Sequence, residues 1–298
     1  MRSSQDHIAP IILTLRIVMA LWTSKWPISK VKGMKIKQFS ASLAILLAAV
    51  FLSGCSDQTE TIKIGATVGP HAQVVESVAE QAKEEGIDVE VVEFSDYISP
   101  NAGLADGSLD LNSYQHQPFL DNFNQNHDSE LVSIGRSILM RMGIYSDKVD
   151  KVEALANGAQ IAIPNDPTNA GRALLLLEDA GLITLADNVG FKATLQDVQS
   201  NPKQLEFVEV EAAQLPRSLQ DVDAAAITMN YVMSSGLDPS EQGIFLESKE
   251  APLAVMVVAA RKDDQDNPTY QRLIRLFQSD KTRQFLQDTF NGTIEPAF

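Results

Sequence analysis

From residue 61 onward, short apolar runs with period-two alternation take turns with stretches whose apolar residues recur three and four apart. Residues 61–67 ("TIKIGAT") read as a strand. Gly69-Pro70-His71 then opens a helix with the stripe Val74, Val75, Val78, Ala79 and Ala82, and Gly86 ends it. With a second strand over 89–94, the chain begins as a βαβ unit and predicts a parallel sheet. A short helix over 100–106 and a short strand over 109–112 follow, then a helix over 118–126 with Pro118 in its first turn. Residues 131–144 are long and β-rich, 145–149 form a polar break, 151–157 a short helix and 160–163 a strand. The turn-rich Pro164-Asn165-Asp166-Pro167-Thr168-Asn169 opens a helix over 170–180 that stops at Gly181. Further strands are expected at 205–210, 224–228, 243–246 and 254–260, and helices at 215–220, 230–234, 268–278 and 281–289. One sheet does not need so many strands. The pattern predicts two α/β lobes, the second inserted into the first, with 61–138 and 247–298 forming one and 139–246 the other.

The first 60 residues follow a different logic. Met34-Lys35-Ile36-Lys37 is a basic start, and the fifteen residues 39–53 are uncharged and mostly apolar, short for a membrane span. Leu52-Ser53-Gly54-Cys55 closes the run with small residues before the one cysteine of the chain, as a secretory signal does. It resembles a bacterial lipobox, which implies a signal peptide over 34–54, a diacylated Cys55 as mature N-terminus, and a polar tether over 55–60. The alternatives are a signal anchor that stays in the membrane, or a thiol there by chance. Residues 1–33 do not fit this signal, because their apolar run contains Arg16 and Met34 is a natural initiator; they read as a non-native extension. An additional membrane-associated segment is the other reading. With no second cysteine, the exported body has no disulfide.

Charge narrows the partners. The chain carries 24 basic and 39 acidic residues, of which seven and one lie in the first 55, leaving 17 and 38 beyond, a net of −21. Such a surface repels phosphate backbones, so no nucleic acid is expected.

Catalytic signatures are missing. There is no Gly-x-Ser-x-Gly elbow, and "GATVGPH" lacks phosphate-loop spacing. His71, His116 and His127 form no helix-spaced pair around a carboxylate, so no metal and no cofactor are expected. Binding fits better, because ligands in α/β sheets sit at the carboxyl ends of strands, beside helix N-termini. Tyr97 follows the second strand; Asn112, Tyr114 and His116 follow the third; Asn169 and Arg172 follow "QIAIP"; Thr228 and Asn230 follow "DAAAI". Arg172 is placed to add a bidentate carboxylate contact. Tyr97, Tyr114 and His116 could wall a pocket for an apolar or thioether side chain. Each also has a plainer reading: Arg172 as a surface helix arginine, the tyrosines as half-buried core, Asn112 and Asn169 as turn or cap residues.

Three stretches then add a family. "DYISPNAGLADGSLDLNSYQHQPFLDNF", "IAIPNDPTNAGRALLLLEDAGLI" and "VEAAQLPRSL" resemble the NlpA/MetQ family of methionine-binding lipoproteins of ABC importers. The resemblance runs from Thr61 to the C-terminus. It implies a periplasmic-binding-protein fold of two lobes with the ligand in the cleft, and a lipid-anchored protein at the periplasmic face of the cell envelope. It also implies partners: methionine or a related small molecule, an ABC permease with its ATPase subunit, and the membrane through the anchor. By position, Tyr97, Tyr114 and His116 correspond to the side-chain pocket, and Asn169 with Arg172 to the carboxylate end. Two departures stand out. The family commonly has asparagines where this chain has Thr228 and Val255, among the anchors for the polar end of the ligand. That favours a ligand with a less demanding amino end, such as a methionine-containing dipeptide, another amino acid or an acylated derivative. Asn230 would substitute only if the strand end bulged. A surface lipoprotein that transports no small ligand is the remaining alternative. Replacing Arg172 by alanine is expected to weaken binding while leaving unliganded stability nearly unchanged.

Overall fold

The structure, a computed structural model, describes residues 61–298. The expected extension over 1–33, the signal over 34–54, Cys55 and the tether lie outside the described residues. In chain order, β1 (Ile62–Thr67), α1 (Pro70–Glu84) and β2 (Val89–Phe94) build the parallel unit the alternation predicts. α2 (Ser99–Asp106), β3 (Leu111–His116), α3 (Gln117–His127) and β4 (Leu131–Leu139) complete the first pass through one sheet. The chain then enters a second sheet with β5 (Met142–Tyr145), β6 (Gln160–Pro164), α4 (Pro167–Asp179), a small hairpin of β7 (Thr184–Leu185) and β8 (Val198–Ser200), and β9 (Glu206–Val210). It continues through α5 (Leu215–Ser218), β10 (Ala224–Thr228), α6 (Met229–Ser234), α7 (Pro239–Gln242) and β11 (Gly243–Leu246). Finally it returns to the first sheet with β12 (Val255–Arg261), α8 (Pro268–Phe277), α9 (Asp280–Phe290) and β13 (Glu295–Pro296).

The six-stranded sheet has the order β13-β4-β12-β3-β1-β2 and the five-stranded one β11-β5-β10-β6-β9. β1 runs parallel to β2 and β3, and β12 antiparallel to β3 and β4. Ile64, Ala66, Val258 and Ala260 face the core that α1 covers, while Ala259 faces Leu104, Leu120 and Phe123 on the other side. Alternation along one strand therefore feeds two cores. The second sheet has its own core, in which Ile161, Ile163 and Ala224 pack against Leu174 and Leu177 of α4.

Three expectations change. The third strand starts at Leu111 and continues through His116, so Asn112, Tyr114 and His116 lie within it rather than after it. Despite its polar letters every residue of β3 is buried, and its side chains find protein partners instead of water. The stretch over 131–144 divides into β4 and β5, which belong to different sheets. The helix carrying Arg172 starts at Pro167, three residues early, because Asp166 caps it by accepting from the Asn169 N–H at 2.9 Å. The small hairpin, α7 and β13 are too short to leave a periodic signal.

α4 rests directly on the turn at 190–192, with no room for a side chain at Gly171, where a Cβ would lie 2.1 Å from the carbonyl oxygen of Phe191. The obstacle is backbone and cannot swing away. Gly171→Ala should cost about 3 kcal/mol of stability, seen as a lower urea midpoint in circular dichroism; an unchanged midpoint would contradict this packing.

Candidate functional site

Strand ends and helix starts from both sheets meet around one narrow cavity. From the first sheet come His71 at the start of α1, Tyr97 after β2, Tyr114 and His116 of β3, and Phe119 of α3. From the second come Asn169 and Arg172 of α4, Thr228 at the end of β10, and Asn230 of α6. Met140 lines it from the segment where the chain passes between sheets, and Met256 from the start of β12.

Part of the lining is aromatic. The Phe119 ring stands edge-on to both Tyr97, at 5.9 Å, and Tyr114, at 6.0 Å, with His116 6.2 Å away. Such walls suit an apolar or thioether group. Tyr114 donates to the Tyr97 main-chain carbonyl at 2.9 Å, which fixes the Tyr114 ring. Burial raises the pKa of both tyrosines, so their hydroxyls stay protonated.

Beside and among these rings the lining is polar and partly unsatisfied. His116 caps α3: its Nδ1 accepts from the Phe119 N–H at 3.2 Å, so Nε2 carries the hydrogen and donates to Asn169 Oδ1 at 3.2 Å. The Asn169 amide in turn donates to Asp166 at 3.0 Å, so both of its ends are engaged. Tyr97 donates to Asn230 Oδ1 at 2.5 Å and lies 2.8 Å from Thr228 Oγ1. Having one hydrogen, the tyrosine gives it to the amide oxygen, and Thr228 donates to it. Thr228 thereby keeps its lone pairs for another donor. Asn230 Nδ2 and His71 Nδ1 are buried with no partner, which is costly unless a ligand supplies one. Burial lowers the pKa of His71 to about 3, and the same value for His116 comes from burial helped by the Arg172 guanidinium. Both rings are neutral.

Arg172 is 2% exposed and already paired. Its Nε donates to Glu247 Oε1 at 2.9 Å, and Nη2 donates to Glu247 Oε2 at 2.5 Å and to the Met140 carbonyl at 2.9 Å. Nη1 makes no protein hydrogen bond among the described residues, and Arg172 lines the cavity. It is therefore not a surface arginine.

The structure brings seven of the eight predicted residues to the cavity: Tyr97, Tyr114, His116, Asn169, Arg172, Thr228 and Asn230. Asn112 points elsewhere. The pairing of β3 with β12 skips Tyr114, a bulge that ends strict alternation and puts Asn112 beside Gln115. Asn112 donates to Asn101 Oδ1 at 2.8 Å and accepts from Gln115 at 2.9 Å, in a closed buried amide cluster. Val255 also lies outside the lining, whereas its neighbour Met256 is in it. Asn230 reaches the cavity without a bulge, because the strand ends at Thr228 and α6 begins at once. Sequence reasoning missed Phe119, His71 and Glu247. "QPFLDNF" does place an aromatic one turn past His116, but nothing local marks Glu247, which is 75 residues from its partner. Among the described residues, the lining contains no serine, cysteine or carboxylate.

Against known proteins, residues 62–298 match the model of the NlpA lipoprotein family. The D-methionine-binding lipoprotein MetQ of Yersinia pestis is 42% identical over 266 residues, covering 87% of this chain and 97% of the relative. MetQ of Escherichia coli K12 is 40% identical over 264 residues, with the same coverage. A nutrient binding protein from Burkholderia cenocepacia, solved bound to methionine, superposes with a TM-score of 0.77 at 42% identity, covering 80% of this chain and all of that one.

The two buried rings give a pH signature. Each is neutral in the fold with a pKa near 3, against 6.5 when free, so below pH 6.5 the unfolded chain binds protons that the native state refuses. Stability should fall from pH 7 to pH 5 by about 2 kcal/mol per ring. His71→Gln should remove about half of that loss in urea titrations. A flat profile over this range would show the rings to be charged or accessible.

Proposed function

Because the chain belongs to the NlpA lipoprotein family, we propose that it is the substrate-binding component of an ABC importer and that its cavity holds methionine or a closely related amino-acid derivative. The observation that carries the reading is the mixed lining of the cavity: the rings of Tyr97, Tyr114, Phe119 and His116 together with Arg172 and the unpaired Asn230 amide. A thioether chain fits the rings, and a carboxylate fits Arg172 Nη1 and Asn230 Nδ2. The amino end meets acceptors on Thr228 Oγ1 and on the neutral His71 ring. Binding by relatives named for D-methionine, and by the methionine-bound Burkholderia protein, supports the same ligand class.

Capture requires the lobes to part. The His116–Asn169 bond and the Tyr97 bonds to Thr228 and Asn230 join the two sheets across the cavity. Breaking them admits the ligand, and closing them over it removes water from its polar end, where each charge-assisted hydrogen bond then gains strength. The lobes 61–138 with 247–298 and 139–246 act as the moving bodies, and the loaded closed form is what the permease and its ATPase accept. Cys55, acylated, ties the protein to the membrane at the periplasmic face. No step in this cycle makes or breaks a covalent bond in the ligand.

Calorimetry on protein unfolded and refolded to remove co-purified ligand should show saturable L-methionine binding, and Asn230→Ala should weaken it tenfold or more. Absence of binding to the refolded wild type would refute the assignment. Arg172→Ala should abolish binding and also lower unliganded stability by about 3–5 kcal/mol, because Glu247 is left as a buried unpaired charge. Stability untouched by that change would return Arg172 to a purely ligand-facing role. In cells, Cys55→Ala should move the protein from the membrane to the soluble fraction.

A further inference from the structure

Glu247 lies where β11 leaves the second sheet, 6% exposed, and it touches no cavity surface. Its carboxylate accepts from Arg172 Nε and Nη2, at 2.9 and 2.5 Å, and from the Met142 N–H at 3.0 Å. Its own N–H donates to the Met142 carbonyl at 2.9 Å, which locks the backbone that carries it. The guanidinium is thus gripped along one edge by a carboxylate, and Nη1 is the nitrogen left for a ligand. Geometry gives Glu247 an orienting role, and charge gives it a second one.

Arg172 is the one residue of the cavity lining that carries a formal charge, since both histidines are neutral and both tyrosines protonated. Glu247 balances that charge before any ligand arrives. Asp166, which caps α4 and holds Asn169, adds a further negative charge close enough to disfavour tyrosinate at Tyr97 and Tyr114. A ligand entering this cleft therefore meets a wall without net positive charge. A zwitterion adds none of its own; a net anion leaves one buried charge uncompensated once water is excluded, and that costs more than one unmade hydrogen bond.

We infer that Glu247 sets the net charge of the ligand, positioning Arg172 for the carboxylate while neutralising it, so that the closed cleft accepts zwitterionic amino acids and refuses their net-anionic analogues. The inference rests on the reading that the cavity takes an amino acid. It reverses the expectation drawn from Thr228 and Val255, because acylating the amine removes the positive charge that balances the carboxylate.

The test uses L-methionine and its hydroxy analogue, 2-hydroxy-4-(methylthio)butanoate, which replaces the ammonium with a hydroxyl of similar size and carries a net charge of −1. Affinities for wild type, Glu247→Gln and Glu247→Asp are measured by calorimetry on refolded protein. Wild type should prefer methionine by about a hundredfold or more, a gap of two decades that corresponds to about 2.8 kcal/mol. Glu247→Gln should narrow the ratio at least tenfold, mainly by tightening the hydroxy analogue, whereas Glu247→Asp, which keeps the charge, should retain the wild-type ratio. A group that merely supported the fold would weaken both ligands together. Methionine binding with a ratio unchanged in Glu247→Gln overturns the inference and leaves the amino-acid reading intact, while no binding of either ligand to wild type overturns that reading first. If Glu247→Gln does not fold, the wild-type series decides, and parity of the two ligands overturns the inference.

Discussion

A guanidinium buried to 2% exposure must bring its counter-charge with it, and in this protein the counter-charge comes from Glu247, 75 residues along the chain and just past β11. The Arg172–Glu247 pair joins α4 to the strand that leaves the second sheet, and Arg172 Nη2 also holds the Met140 carbonyl on the strand-side segment entering it. Both passages between the sheets therefore converge on one side chain. The backbone bond from Met140 N–H to the Ala254 carbonyl, 2.7 Å long, ties the same passages directly. A buried pair of this kind adds little net stability over apolar packing, but losing one partner is severe. Its value is geometric: the crossing segments and the ligand-facing helix keep a single arrangement.

The remaining parts of the cavity depend on that frame in different ways. The first sheet contributes rings whose positions are set by the bulge at Tyr114 and by the amide cluster of Asn101, Asn112 and Gln115 beneath it. The second contributes helix starts, where backbone and short side chains concentrate donors. Where the two meet, polar atoms either bridge the sheets or remain unpaired. In the proposed function the bridges, His116–Asn169 and Tyr97–Thr228, serve closure, and the unpaired Asn230 Nδ2 and His71 Nδ1 serve the ligand. This separation explains why so few of the polar groups lining the cavity are free.

Much of this was legible in the chain. The 2.0 and 3.6 periodicities placed β1, α1, β2, β10 and α9 within a residue or two, because each has one face in a continuous core. Tyr97, Thr228 and Asn230 were found by their positions at strand ends, where the fold puts its binding groups. Arg172 and the rings of Tyr114 and His116 were read from the same placement, and family resemblance added methionine as the molecule they would hold. Asn112 was misplaced because the third strand was expected to end there, whereas it runs on to His116 and bulges at Tyr114.

Local pattern determined the elements, the two-sheet organisation and the strand ends at which polar residues gather, since these follow from which side chains avoid water within a few residues of one another. Tertiary structure alone decided which of those polar atoms would be free. Arg172 reads as an open cation until Glu247, 75 residues away, is folded against it. Asn169 reads as a ligand group until His116 and Asp166 occupy its amide. Hydrogen-bonding capacity is written in each residue type, but its consumption depends on partners brought together from distant parts of the chain, and no window along the sequence contains both.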